Sequence, residues 1–437
     1  MSQSGTALLA EMADRSGLTL GLSEAMGDCG ISWHTHDPGV VLTHLGVAIA
    51  NGADCLADFA ALGEQDELFG PVASLPTVWR AIEAVTSTEL AGIAAALGTA
   101  RGRVWDAGEA LDEVTLDFDA TLVTSHSDKQ DAAPTYKRGF GFHPLGVWCD
   151  ETNECLTAML RAGNAGSNDA ADHVVCLDQA IAALPEDYQA GHGDGDDPGE
   201  VRYPILARAD SAGATHRFVD ELVARNLDFS IGYPIDQRVR DALNLTQEDD
   251  WNPAINTDGT TRRDAHVVEL TDLVDLTSWG EGIRLIARRE RPHVGAQLSA
   301  FDTIEGWRHT CHITNTTGGP IVDLELRHRG HARVEDRIRN WKDCGLGNLP
   351  FEDFVRNQAW LAASIASLMG LNAVLHPVAS LWTGAWSPGT LTGLLLYLPL
   401  VAIVLRKLAA RLPRAVFVGA VVGGMLFHAL ATATAVL

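Results

Sequence analysis

The stretch Val114-Thr115-Leu116-Asp117-Phe118-Asp119-Ala120-Thr121-Leu122-Val123-Thr124 decides how the chain is read. Its apolar and β-branched residues predict a strand, and alternation along a strand puts Asp117 and Asp119 on the same face. Two carboxylates so placed repel each other unless they are solvated, hydrogen-bonded or neutralised by a cation. The strand end is therefore a candidate Mg²⁺ site. The plainer alternative is a solvated strand end.

Working outward, residues 139–149 and 155–160 read as further strands and 170–184 as a helix, followed by an Asp/Gly-rich loop at 192–200. Residues 202–209 read as a buried strand that delivers Asp210 to its C-terminal end, where α/β sheets place their ligands. A helix is expected near 217–225, so the region is of the α/β class. Residues 250–326 carry several β-like runs (266–273, 282–287, 309–315) and little helix, which reads as a β-rich insertion. The first hundred residues read helical. Segments 40–50 and 53–62 flank Asn51-Gly52, and Ser74-Leu75-Pro76 caps a helix over 77–85. Short helices around a tight turn fit either a DNA-reading helix-turn-helix or ordinary helical packing.

The chain has 437 residues and a net charge of −25, which by itself argues against nucleic acid as a partner. Of its 32 basic residues only four are lysines (Lys129, Lys137, Lys342, Lys407). Its seven cysteines include no CxxC pair, so neither a disulfide framework nor a zinc ribbon is expected. No signal peptide is evident in the first 20 residues, and a reducing, cytoplasmic setting is expected. The C-terminus is the sharpest break. No Asp, Glu, Lys or Arg occurs in the 49 residues between Arg356 and Arg406, and the last 23 residues are uncharged again. Arg406, Lys407, Arg411 and Arg414 separate the two runs, so residues 390–437 read as a membrane-associated tail with this cluster on the cytoplasmic side.

Against that acidic background six of the 32 cations fall between Arg327 and Lys342, on a helix that also carries Glu335. Arg339 and Lys342 lie four and seven positions after Glu335, on roughly the same face. The alternative is a salt-bridged surface helix.

Two families share these signals. Asp117-x-Asp119-x-Thr121 resembles the nucleophile motif of haloacid-dehalogenase-type phosphatases, in which the first Asp attacks phosphorus. That family also needs a downstream lysine and an acidic pair after a strand. Here Lys129 and Lys137 come too early and Asp196-Asp197 lies in a polar loop. The second resemblance rests on five ordered strings: LDFDATLVT (116–124), APTYKRGFGFHPL (133–145), GNAGSNDAADH (163–173), ADSAGATH (209–216) and ARVEDRIRNWKDCGLGNLPF (332–351). Together they resemble the group 1 DDE-domain transposases of bacterial and archaeal insertion sequences, over roughly residues 30–370.

That resemblance implies an RNase H-like catalytic domain over 110–370 with a β-rich insertion at about 230–326. It also implies a helical DNA-binding region over 1–100, and leaves an apolar tail over 371–437. Asp119, Asp210 and Glu335 match the catalytic acids, which would hold two Mg²⁺ or Mn²⁺ ions for DNA cleavage and strand transfer. Lys137, Arg138, Arg339 and Lys342 are the implied DNA contacts. His328 and His331 stand where relatives carry a tyrosine and an arginine, with His331 set to meet a phosphate when protonated. Trp251 or Trp307 is either core or a platform for an extruded base. The implied partners are the element's terminal repeats and target DNA, bound by a homodimer in the synaptic complex. Residues 354–370 read as the closing helix of the catalytic fold, packed on its sheet. The apolar run beyond it departs from the family and suggests a truncated, inactive transposase fused in frame to a membrane-protein fragment.

Overall fold

The computed structural model describes residues 6–29, 35–108, 110–292, 303–304 and 306–383. The chain divides into two compact units: 1–110 with 127–130 and 341–437, and 111–126 with 131–340.

The first unit is helical. α1 (Ala7–Ser16) and α2 (Leu18–Ala25) lead to α3 (Pro38–Ala50). Asp37 opens α3 by accepting from the Val40 amide at 3.1 Å, with Pro38 in the first turn where no amide donor is needed. Eleven of the 13 residues of α3 are buried, which makes it the core of the unit and leaves it no face with which to read DNA. After Asn51-Gly52 the chain forms a 3₁₀ turn (Leu56–Phe59) and two single-turn helices, α4 (Ala60–Gly63) and α5 (Asp66–Phe69). A tight corner comes later. α6 (Leu75–Glu83) and α7 (Ser87–Asp106) are bent by 102° across Ala84-Val85-Thr86. Thr86 and Glu89 form a capping box there, the Thr86 amide donating to the Glu89 carboxylate at 2.9 Å.

The second unit is built on one large mixed sheet. Its strands are β1 (Val114–Ala120), β5 (Leu145–Cys149), β6 (Cys155–Met159), β7 (Ile205–Ala209), β8 (Asp228–Tyr233), β9 (Asn252–Ile255), β10 (Thr261–Glu269), β11 (Arg284–Glu290), β12 (Thr303–Ile304) and β13 (Trp307–Thr314). The order is β6-β5-β1-β7-β8-β13-β11-β10-β9, with β12 on β13. β1 runs parallel to β7, and β7 parallel to β8; the other pairs are antiparallel. β2 (Val123–Thr124), β3 (Ala133–Pro134) and β4 (Phe140–Phe142) make a separate three-stranded sheet. α8 (Ala170–Ala182) and the single-turn α9 (Glu186–Gln189) precede β7, and α10 (His216–Ala224) crosses from β7 to β8 as a parallel pair requires.

The β-rich segment read as an insertion is continuous with this sheet. β13 pairs with β8, Ile313 opposite Ile231, so β13, β11, β10 and β9 extend the central sheet. α11 (Gln237–Leu245) precedes them, and α12 (Ile321–Arg329) packs Leu324, Ile321 and Val322 onto Ala254, Ala265, Val267 and Ile286. α13 (Val334–Trp341) follows after a 3₁₀ turn.

α14 (Phe354–Thr383) departs from expectation, packing within the helical unit on α3. A Cβ added to Gly46 would lie 3.6 Å from the Ala363 carbonyl oxygen and 3.8 Å from the Ala366 Cβ. Trp360 is fully buried and donates to the Gly345 carbonyl at 2.9 Å, while Trp341 donates to Ser364 Oγ at 2.8 Å. Among the described residues no single helix is long and apolar enough to cross a membrane. The runs over 390–437 that prompted that expectation lie outside the described residues. No disulfide joins any of the seven cysteines.

Beneath α12 the rings of His312 and His328 stack at 4.2 Å and 8°. His328 Nδ1 shares a hydrogen bond with Ser230 Oγ at 3.0 Å. Burial, with Arg327, Arg288 and Arg284 nearby, pushes His312 down to about 3, and burial also lowers His328. Both rings are neutral in the folded state where the unfolded chain would protonate them. Their contribution to stability is therefore full above the ordinary imidazole value and is lost as pH falls from about 6.5 toward 3. His312→Phe keeps a stacked ring and removes one proton site. Urea melts of wild type and variant between pH 6 and 4 should show a slope shallower by about 1.4 kcal/mol per pH unit in the variant. Equal slopes would mean that His312 is not held neutral.

Candidate active site

β1 carries its carboxylates on one face. On the other, Phe118 meets Phe218 of α10 at 5.2 Å and His173 of α8 at 6.4 Å, which anchors the strand between helices. Asp117 is fully buried. Arg208, its cross-strand partner on β7, donates from Nε to Asp117 Oδ1 and from Nη2 to Oδ2, each at 2.8 Å. His331 Nδ1 lies 3.0 Å from Oδ1, and Arg337 Nη1 donates to Oδ2 at 2.7 Å. Burial opposes ionisation of Asp117, yet hydrogen bonds from His331 and Arg208 outweigh it and hold the carboxyl below its usual range. A carboxylate with both oxygens occupied by guanidinium groups and no solvent access cannot serve as a nucleophile. The phosphatase-like reading of the motif therefore fails at its first residue.

Asp119, two residues on at the strand end, is only half-buried. Its Oδ1 accepts from the Ala120 amide at 2.7 Å. Burial raises its carboxyl to about 6; the charges of Asp210 and Glu335 push in the same direction, while His331 and the Ala120 amide offset part of the shift. Asp210 stands exposed at the end of β7, capping a 3₁₀ turn (Ser211–Gly213) by accepting from the Ala212 amide at 2.8 Å. β8 can pass directly beneath this turn because residue 232 is glycine. A Cβ there would lie 2.8 Å from the Ser211 nitrogen and 2.9 Å from the Asp210 carbonyl carbon. Glu335 is exposed in the first turn of α13, whose neighbours Val334 and Ile338 are buried.

The three acids from β1, β7 and α13 thus share one electrostatic environment. They are not drawn into a single ligand cluster: among the described residues no group of three or more His, Cys, Asp or Glu side chains is spaced to hold a metal ion. The donor chemistry, oxygen only, is that of a hard divalent cation.

The other expected residues fall in several places. Lys137 and Arg138 are exposed at the tip of the β3–β4 hairpin. Arg138 adopts φ 61°, and Lys137 Nζ lies 5.7 Å from the Tyr136 ring centre. His331 is turned inward to Asp117 rather than outward to a phosphate site. Arg339 pairs on the surface with Asp336 at 2.6 Å. Lys342 is half-buried and belongs to the helical unit. Much of the basic run that seemed to mark a DNA surface is engaged with other residues of the chain. Arg329 pairs with the buried Glu325 at 3.4 Å, Arg327 donates to Thr316 Oγ1 at 2.7 Å, and Arg333 and Arg337 both engage Asp150.

Trp251 is buried, donating to Thr246 Oγ1 at 3.1 Å with Arg289 4.3 Å from its ring. Trp307 has Arg291 at 3.9 Å and Arg289 at 4.8 Å. Both tryptophans are therefore packed. Trp279, which the sequence reading did not single out, is half-buried with its ring 4.0 Å from that of His216, six positions after Asp210, and 5.7 Å from Tyr233 at the end of β8.

Carboxylates thus stand at the ends of the adjacent parallel strands β1 and β7, with a third on the helix α13. The chain belongs to the Transposase DDE domain group 1 family, whose profile matches residues 1–396, further at both ends than the quoted strings reach. Among curated proteins no match was found. Among solved structures, the cryo-electron-microscopy structure of a piggyBac transposase synaptic complex with hairpin DNA is similar at a TM-score of 0.45 and 8% identity. That similarity covers 94% of this chain and 83% of that one.

The Asp117 cage makes a stability prediction. Asp117→Asn leaves Arg208 and Arg337 without a full counter-charge, so the unfolding free energy should fall by about 3–5 kcal/mol in urea titrations. A loss below about 1 kcal/mol would show that the cage does not hold the fold.

Proposed function

We propose that this transposase-family protein cleaves DNA at the ends of a mobile element and transfers the freed strands, with Asp119, Asp210 and Glu335 as the catalytic acids. The carrying observation is that burial raises Asp119 to about 6 and the charges of Asp210 and Glu335, acids distant in sequence, add to that shift. An RNase H-like reading of the domain is supported by the strand order β6-β5-β1-β7-β8, in which β5 alone opposes its neighbours. The three carboxylates are the residues that would hold Mg²⁺ or Mn²⁺, two ions in the full reading. Such ions, when bound, supply charge neutralisation at the phosphate and acidification of the attacking hydroxyl.

This chain's own residues then divide the work. Asp119 must be ionised to act, and His331 beside it eases that ionisation. Asp210 is held at the strand end by its own turn. Lys137 and Arg138 present cations at a hairpin tip suited to the DNA backbone, with Arg339 and Lys342 as further contacts. Trp279, lying against His216 with the rings tilted 33°, is the tryptophan best placed to receive an unpaired base. The α6–α7 corner is the part of the helical region whose geometry suits DNA binding. Assembly as a homodimer on paired ends follows from the reaction proposed.

With oligonucleotides carrying the element's terminal repeats and Mn²⁺, Asp119→Asn, Asp210→Asn and Glu335→Gln should each reduce cleavage by roughly a thousandfold or more. An Asp210→Asn variant that cuts at the wild-type rate would sink the assignment. At subsaturating Mn²⁺, cleavage by the wild type should rise with pH through about 6, as Asp119 loses its proton, and level off above. A rate flat from pH 5 to 8 would remove Asp119 from the site.

A further inference from the structure

Arg337 is tied down by four hydrogen bonds, as many as its neighbour Arg208 makes. It donates from Nε to Asn153 Oδ1 at 3.0 Å, from Nη1 to Asp117 Oδ2 at 2.7 Å, and from Nη2 to the Asp150 carbonyl at 3.2 Å and to the Asp150 carboxylate. One turn earlier, Arg333 grips the same Asp150, with Nε 2.9 Å from Oδ1. Asp150 follows β5 and also accepts from Arg208 at 2.7 Å. Burial of Asp150 is outweighed by Arg333, Arg208 and Arg337, which hold its carboxyl well below the usual range.

Glu335 sits between the two tied arginines on a helix of eight residues. So short a helix does not hold its place by its own hydrogen bonds. Within this unit its buried apolar anchors are Val334 and Ile338. Two carboxylates, one on β1 and one after β5, therefore set where the backbone of Glu335 stands relative to Asp119, which lies on β1 two residues from Asp117. Gly330 makes room for the assembly. A Cβ there would lie 2.4 Å from Arg208 Nη1, which donates to the Arg327 carbonyl at 2.8 Å.

We infer that Arg337 and Arg333, clamped on Asp117 and Asp150, are positioning residues that place Glu335 against Asp119. The inference rests on the proposed catalytic role of these acids. Arg337 works as a fork: three nitrogens reach four acceptors on three residues, a pattern that a lysine cannot reproduce.

The test uses Arg337→Lys, which keeps the charge and loses the fork. Arg333→Ala serves as a second variant, at a side chain 54% exposed and so tolerant of change. Three readouts are taken on the full-length chain: amide exchange across 334–340, Mn²⁺ affinity, and cleavage of terminal-repeat DNA. Arg337→Lys should speed exchange in α13 about tenfold or more while β7 and α10 exchange as in the wild type. Mn²⁺ affinity and kcat should fall 10- to 100-fold with KM for DNA unchanged. Arg333→Ala should shift the same readouts in the same direction by less.

Unaltered exchange in α13 would overturn the inference whatever the wild type cleaves. So would a loosened α13 with undiminished Mn²⁺ affinity. If the wild type itself bound no Mn²⁺ and cut nothing, the proposed function would fail and the positioning role with it, while exchange would still report whether the clamp holds α13.

Discussion

The ionised carboxylate of Asp117, sealed from water, is the constraint around which the second unit is organised. An isolated buried charge is prohibitively costly, so the fold must bring cations to it from wherever the chain carries them. Arg208 comes from the neighbouring strand, and His331 and Arg337 from more than 200 residues downstream. Satisfying one aspartate thus forces β1, β7 and α13 together. Those same three elements carry Asp119, Asp210 and Glu335. In the pair Asp117 and Asp119 the first residue serves the fold and the second the proposed site, a division made by two residues' advance along one strand.

The same chemistry revises what the charge of the chain means. A net charge of −25 pointed away from DNA, and a run of cations near Glu335 pointed back toward it. Half of those six cations, Arg329, Arg333 and Arg337, are structural, neutralising Asp117, Asp150 and Glu325. Lys137 and Arg138 are exposed on a hairpin that the charge count did not single out. Neither net charge nor local charge density separates a guanidinium that faces a ligand from one that faces a buried carboxylate.

Much of the fold was nonetheless legible. The strands β1, β5, β6 and β7 and the helices α8 and α10 lie close to where the sequence put them, the strands because their apolar runs are largely buried and the helices because apolar residues recur along one side. The β-rich segment was legible as strands but not as an extension of the main sheet, since Ile313 opposite Ile231 is a pairing no local pattern encodes. Around Asn51-Gly52 the sequence fitted either a helix-turn-helix or ordinary packing, and the near-complete burial of α3 follows from partners such as α14 that lie about 300 residues away in sequence. Trp251 and Trp307 could not be told from Trp279 by composition, because what separates them is whether arginines or an exposed histidine lie against the ring.

By itself the sequence determined the chemistry available: which residues are acids, which strands and turns deliver them, and which family the ordered motifs resemble. These are local properties, set by side-chain type and by periods of two and 3.6 residues. Only the tertiary structure decided which acid is walled in and which is left open, and which cations are spent on the interior. Burial and pairing depend on contacts between residues one or two hundred positions apart. An ion pair such as Asp117 with Arg337 leaves no trace in the neighbourhood of either residue.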